Sequence, residues 1–137
     1  MSQENVERVR AGVEQWQRGG GGAEAIPAEA YAEDVEWDIS GYPTVDLPTR
    51  GSGRDNLFDA FRTYYSGWTS HRAELTELID AGENVVGVLH EKAAIADSDA
   101  FLERDLFNVW TFRDGLIVKW RVFATREQAL EAAGLRE

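Results

Sequence analysis

Two polar side chains are candidates for chemistry in this sequence, Asn108 and Asp38. Asn108 falls among Leu106, Trp110 and Phe112, which share one face of a strand because side chains two apart point the same way. A carboxamide on such a wall must find a partner or cost free energy. It is therefore either a contact for a bound molecule or an amide satisfied by backbone or a neighbouring side chain. Asp38 ends the run Val35-Glu36-Trp37-Asp38. A carboxylate in an apolar pocket suits removal of a proton beside a carbonyl, because burial raises its pKa towards neutrality. Alternation with Val35 and Trp37 instead sets Asp38 on the solvent side. The sequence leaves both alternatives open for each residue.

Other chemistries are less well supplied. His71 and His90 fall on separate predicted strands without an acidic pattern nearby, so no metal is expected. His90 remains a candidate proton carrier and pocket contact. Arg72 and Arg121 read as surface or dimer ion pairs. The chain has no cysteine, which removes disulfides, a thiolate nucleophile and a Cys-ligated metal. The GSGRD segment at 51–55 lacks the lysine and the preceding buried strand of a phosphate-binding loop. No Ser-His-Asp motif is visible, and no cofactor is expected.

The elements that must position these groups follow from spacing. Val6, Val9, Val13 and Trp16 recur at helical intervals, giving a helix over 3–18 that Ser2 can cap and Gly19 to Gly22 end. Pro27 can open a short helix containing Glu29, Ala30 and Tyr31. Val35, Trp37 and Ile39 alternate with acids, so 34–40 reads as a strand. The Gly- and Pro-rich segment 41–53 is long enough to form a rim or lid. A second helix over 54–68 carries the stripe Leu57, Phe58, Phe61, Tyr64, Tyr65 and Trp68. Strands follow at 71–79 and 84–95, then a hairpin about Arg113-Asp114-Gly115, since Asp-Gly between apolar runs is the strongest local hairpin signal. Val118, Trp120, Val122 and Ala124 share its second inner face. Thr125-Arg126-Glu127-Gln128 is a capping box opening a last helix that Gly134 ends. Consecutive strands joined by short turns imply an antiparallel sheet with helices on one side.

Composition narrows the partners. The chain of 137 residues is 43% hydrophobic and 11% aromatic, enough for one core. A net charge of −11 argues against nucleic acid and anionic membrane surfaces. The N-terminus lacks a signal-peptide pattern and no run could span a bilayer, so a soluble, cytoplasmic protein is expected.

The element order, the phrase YAEDVEWD after a short helix, and the ending FNVWTFRDGLIVKWRVF…TREQALEAAGL resemble the nuclear transport factor 2-like superfamily. Within it they are most similar to the SnoaL-like group of polyketide cyclases and ketosteroid-isomerase-like proteins. The resemblance spans nearly the whole chain. It implies an α+β fold over 1–137, a cone-shaped curved antiparallel sheet wrapped around helices (a cystatin-like roll), with an apolar pocket at its open end. It also implies functions from isomerases and cyclases to epoxide hydrolases and non-catalytic binders. In the steroid isomerases of this superfamily an aspartate on the first strand moves a proton, while a tyrosine and a protonated aspartate hold the oxyanion. Carried onto this chain, the proton-moving residue falls on Trp37 or Asp38 and the donor aspartate on Asn108. The donor tyrosine falls near Gly12, leaving Tyr31, Tyr64 or Tyr65 to take that role.

The expected occupant is a flat, mostly apolar small molecule. Trp16, Trp37, Phe61, Tyr65, Trp110 and Trp120 would line its pocket, with Tyr31, His90 and Val122 as further contacts. In a cofactor-free isomerase or cyclase acting on an apolar carbonyl compound, Asp38 would be the base, Asn108 the polariser and a tyrosine such as Tyr31 a helper donor. The alternatives are a non-catalytic binding module and a structural dimerisation domain with a filled cone. On the opposite face, Phe107, Val109, Ile117 and Phe123 are too apolar for open water. Either another element covers them or a second copy does, and a homodimer through this face is expected.

Overall fold

The structure, a computed structural model, describes residues 2–20, 25–41, 49–65, 68–95 and 99–135, with backbone alone at 2, 64–65 and 68–70. The order is α1 (Ser2–Arg18), a 3-10 turn (Ala28–Ala30), β1 (Tyr31–Asp38), β2 (Arg50–Ser52), α2 (Arg54–Tyr65), β3 (Trp68–Ala81), β4 (Asn84–Ile95), β5 (Phe101–Arg113), β6 (Leu116–Phe123) and α3 (Arg126–Ala132). The six strands form one curved, open sheet in the order β2-β1-β6-β5-β4-β3. This is the expected α+β roll, with α1 and α2 lying in the hollow of the sheet.

Several local signals produce what their chemistry dictates. Asp114 and Gly115 both take positive φ, 53° and 82°, as the tight turn between β5 and β6 requires. The Thr125 hydroxyl accepts from the Gln128 amide at 3.2 Å, and the Gln128 side chain accepts from the Ala124 amide at 3.2 Å. Val6, Val9 and Trp16 of α1 and Leu57, Phe58, Ala60 and Phe61 of α2 are buried against Val35, Trp37, Leu89, Leu106, Trp110 and Val122 of the sheet. The Gln17 side chain accepts from the Ala73 amide at 3.1 Å, tying the end of α1 to the edge strand β3.

Five sequence expectations need correction. Tyr31 begins β1 instead of ending the short helix, and Trp68 begins β3 instead of ending α2. Within the segment read as a loop, Arg50–Ser52 pairs with β1; residues 42–48 lie outside the described residues. The sheet is not wholly antiparallel, because β1 runs parallel to β6. Ile117 faces inward: the β5–β6 register shifts between Thr111 and Phe112, so Phe112 pairs with Ile117 while Thr111 pairs with Lys119. One extra residue turns the side chains over, and Ile117 joins the core in the place read for Val118.

The outer face has its own cover. Ala129, Leu130 and Ala133 at the end of the chain pack over Val86 and Val109, with Phe107, Phe123 and Ile79 beside them. The apolar surface that suggested a second copy is therefore largely covered within one chain. Arg126 fixes α3 in place through two hydrogen bonds to Glu77 on β3, 3.0 and 2.7 Å long. No helix among the described residues is long and apolar enough to cross a membrane.

The Arg126 hydrogen bonds pull the Glu77 carboxyl below its ordinary range, outweighing a small upward effect of burial. A depressed carboxylate stabilises the fold above its unfolded pKa, and that stability fades as pH falls through the folded value. We expect Glu77→Gln to lower the melting temperature at neutral pH and to flatten its fall below about pH 4. Thermal melts of both proteins across that range check this; parallel curves would refute it.

Candidate functional site

A cavity of about 120 Å³ lies between the helices and the concave face of the sheet. From α1 come Val9, Gly12, Val13 and Trp16; from α2, Leu57, Ala60 and Phe61; from the sheet, Leu89, Leu106, Trp110, Ile117 and Trp120. Arg8, Tyr31 and Asn108 are its polar contributors. Phe61 and Trp120 tilt against each other with ring centroids 5.4 Å apart. Gly12 borders this space, and a Cβ added there would meet nothing nearer than the Pro27 Cγ at 3.9 Å. The result is a narrow, aromatic-walled hollow suited to a flat apolar body.

Asn108 is buried and bound on both ends of its amide. Its Nδ2 donates to the Leu106 carbonyl at 3.2 Å and, less closely, to the Gly87 carbonyl at 3.4 Å. Its Oδ1 accepts from the indole Nε1 of Trp120 at 2.9 Å. An indole only donates, which fixes the orientation of the amide. Of the two roles open to Asn108 in the sequence, the structure displays the satisfied amide, one that holds Trp120 in the cavity wall. Tyr31 stands on the wall as a phenol, since burial pushes its hydroxyl pKa well above the ordinary value.

The structure brings six of the expected contacts to the cavity: Trp16, Tyr31, Phe61, Asn108, Trp110 and Trp120. It sets four elsewhere. Trp37 is buried in the core beside Gly51 but off the cavity wall. Val122 is buried in the same core, its neighbourhood opening towards an outer groove with Asp38, Arg121 and Gln128. His90 lies on the convex face, its nitrogens 2.8 Å from Asp105 and 2.7 Å from Glu103, and those hydrogen bonds raise its pKa. The side chain of Tyr65 lies outside the described residues.

Asp38 also faces away from the cavity, as alternation along β1 dictates. It accepts from the Ser40 amide at 2.9 Å and pairs with Arg50 at 3.1 Å. Burial pulls its carboxyl upward, but the Ser40 hydrogen bonds and the charges of Arg50 and Arg121 outweigh this and leave it below the ordinary range. That is the reverse of the shift a general base near neutrality needs.

Sequence reasoning missed a second polar group on the concave face. Glu91 is 1% exposed and lies 2.5 Å from His71 Nε2, while Arg104 Nε donates to its other oxygen at 2.8 Å. Glu91 follows Leu89 by two residues and Arg104 precedes Leu106 by two, so both share the strand face of those wall residues but lie beyond the cavity lining. The His71 ring packs against Trp16, centroids 5.1 Å apart. The signal was available: Glu91 between Leu89 and Ala93 interrupts an apolar face just as Asn108 does.

The frame of the site is a curved sheet enclosing helices around an aromatic-lined hollow. A family model described as a SnoaL-like domain matches residues 9–120, and the chain belongs to that family. Among solved structures it is similar to an NTF2-like protein of unknown function from Burkholderia pseudomallei K96243, at 20% identity, TM-score 0.75 and coverage of 93% of this chain and 95% of that one. It is similar to TerC co-crystallised with polyporic acid, at 18% identity, TM-score 0.73 and coverage of 96% and 98%. It is also similar to an LEH-like epoxide hydrolase of M. tuberculosis, at 16% identity, TM-score 0.65 and coverage of 88% and 81%. No curated protein matches the sequence.

Truncating Asn108 leaves the Trp120 indole without its acceptor inside an apolar wall. Asn108→Ala is expected to cost about 1–3 kcal/mol in urea unfolding. It should also change the tryptophan emission of the folded protein. A variant with unaltered midpoint and spectrum would contradict the role given to this amide.

Proposed function

We propose that this protein binds a flat, mostly apolar small molecule in the cavity between α1, α2 and the sheet. The observation that carries the reading is the cavity itself: about 120 Å³ walled by Trp16, Phe61, Trp110 and Trp120 and bordered by Gly12. A domain whose only task was structural would gain stability by filling that space. The similarly folded TerC structure was obtained with polyporic acid, which agrees with a small-molecule role without naming this chain's ligand.

A second reading makes the pocket catalytic, with cofactor-free acid–base chemistry of the isomerase or cyclase kind on an apolar carbonyl compound. What favours it is the buried His71-Glu91-Arg104 group next to the cavity wall. Asp38 is a poor base for that chemistry, being outside the cavity and held ionised by Ser40, Arg50 and Arg121. Asn108 is a poor polariser of a carbonyl, because its N–H groups already donate to backbone.

Gly12 supplies the test. Gly12→Ala should fold normally and gain about 0.5–1 kcal/mol, the usual difference between the two residues in a helix interior. Gly12→Phe should place its ring in the hollow. Titration with naphthol, followed by energy transfer from tryptophan, is expected to show saturable binding to the wild type. The Phe variant should lose at least about tenfold in affinity, or 1.4 kcal/mol. Equal binding by both proteins, or none by either, would remove the proposal.

A further inference from the structure

Among the described residues that line the cavity, Arg8 alone carries a charge, and the binding role as stated gives it nothing to do. Its place follows from the helix. Arg8, Gly12 and Trp16 stand four apart, so α1 presents them along one stripe. The guanidinium reaches the hairpin between β5 and β6, where a Cβ on Gly115 would come within 3.3 Å of Nη2. The hairpin also locates Tyr31. Ile117, two residues beyond Gly115, is paired with Tyr31 across β6 and β1. Arg8 and Tyr31 therefore meet the cavity at the same end, Arg8 at an exposed rim and Tyr31 deeper, at 8% exposure.

Both have donors to spare. Nη1 of Arg8 donates to the Asn5 side chain at 2.8 Å, while Nη2 stands 3.7 Å from the Glu4 carboxylate. The second distance is too long for a hydrogen bond, and exposed pairs of this kind hold little energy. Tyr31 has no hydrogen-bond partner for its hydroxyl among the described residues. A buried hydroxyl without a partner costs free energy until something completes it. Burial also keeps that group a phenol, able to donate. The other polar point of the wall is already occupied: Asn108 donates to two backbone carbonyls and accepts from Trp120.

We propose that the hairpin end of the cavity is a carboxylate subsite, where Arg8 and Tyr31 hold the acid group of a flat aromatic carboxylic acid whose rings lie among Trp16, Phe61, Trp110 and Trp120. This rests on the pocket reading given above and narrows its ligand to one charged class. A guanidinium offers a carboxylate two parallel donors, and the phenol adds a third. At the rim the acid group keeps part of its hydration while the rings go inside, which spares the cost of burying a charge. A neutral ring system would leave these donors unmatched, and an aromatic amine would meet a like charge. The net charge of −11 repels anions from afar. That field is screened within about 8 Å at physiological ionic strength, whereas the attraction to Arg8 is a contact.

A matched pair of probes isolates the acid group. 2-Naphthoate and 2-naphthamide share their rings and nearly their size, and differ in charge at pH 7. Each is titrated against the protein and followed by energy transfer from tryptophan. The wild type is expected to bind naphthoate at least about tenfold more tightly than naphthamide, equal to 1.4 kcal/mol. Arg8→Gln puts a good helix former at an exposed position, so the protein should fold. It should bring the two affinities to within about twofold of each other, since the charged partner is gone. Tyr31→Phe keeps the ring and should lower the ratio at least about threefold, as loss of a donor to a charged group demands. A ratio cancels any general loss of affinity that a variant suffers. The inference is overturned by a wild-type ratio near or below one, or by either variant keeping the wild-type ratio. Binding of neither probe would overturn the pocket reading and this inference with it, whereas equal binding of both overturns this inference alone.

Discussion

An indole N–H in an apolar wall must be given an acceptor, and Asn108 gives Trp120 that acceptor. The same amide donates to the carbonyls of Leu106 on its own strand and Gly87 on β4, so one side chain joins β4, β5 and β6 on the concave side. Gly87 has a matching duty. A Cβ there would come within 2.5 Å of the Trp110 ring, so the glycine lets that ring lie flat on the sheet. Two tryptophans are thereby held as walls instead of collapsing into the space between them. A hollow lined by rings persists only if each ring is fixed from behind, because close-packed interiors otherwise close their voids.

The two faces of the sheet solve different problems with similar residues. The concave face must be covered by α1 and α2 and yet not filled. The convex face must be shielded, and α3 does this over Val86 and Val109. The extra residue in β6 by the hairpin decides which face receives Ile117. Without that irregularity Ile117 would point outward and the narrow end of the cavity would lack a wall.

Much of this was legible from local chemistry. Helical spacing gave α1 and most of α2, Asp114-Gly115 gave the hairpin, and Thr125 with Gln128 gave the start of α3. What escaped depends on contacts distant in sequence. The parallel pairing of β1 with β6 joins segments some eighty residues apart by number, and nothing in either strand states its partner. The three residues of β2 are too few to show a period. The docking of α3 on the outer face needs the position of that face, which no window of sequence contains. In the site, Asn108 was visible as a polar residue on an apolar strand. Glu91 carried the same mark, but charged residues on strands are ordinarily read as solvent-facing. Its partners His71 and Arg104 stand on neighbouring strands at 20 and 13 residues' remove.

An aromatic hollow and a buried group of charged and polar side chains coexist on one sheet face, and each contributes something different. Apolar walls attract a flat molecule but discriminate weakly among molecules of similar size, since a methylene in a hydrophobic pocket is worth only about 1–3 kcal/mol. Polar groups discriminate strongly, because an unmatched one is left unsatisfied. Placing the ionic group behind Trp16 keeps it paired and out of water while the pocket is empty. The desolvation of His71 and Glu91 is met once, during folding. The aromatic wall and the hidden ions are therefore complementary parts of one arrangement, with Trp16 as the side chain they share.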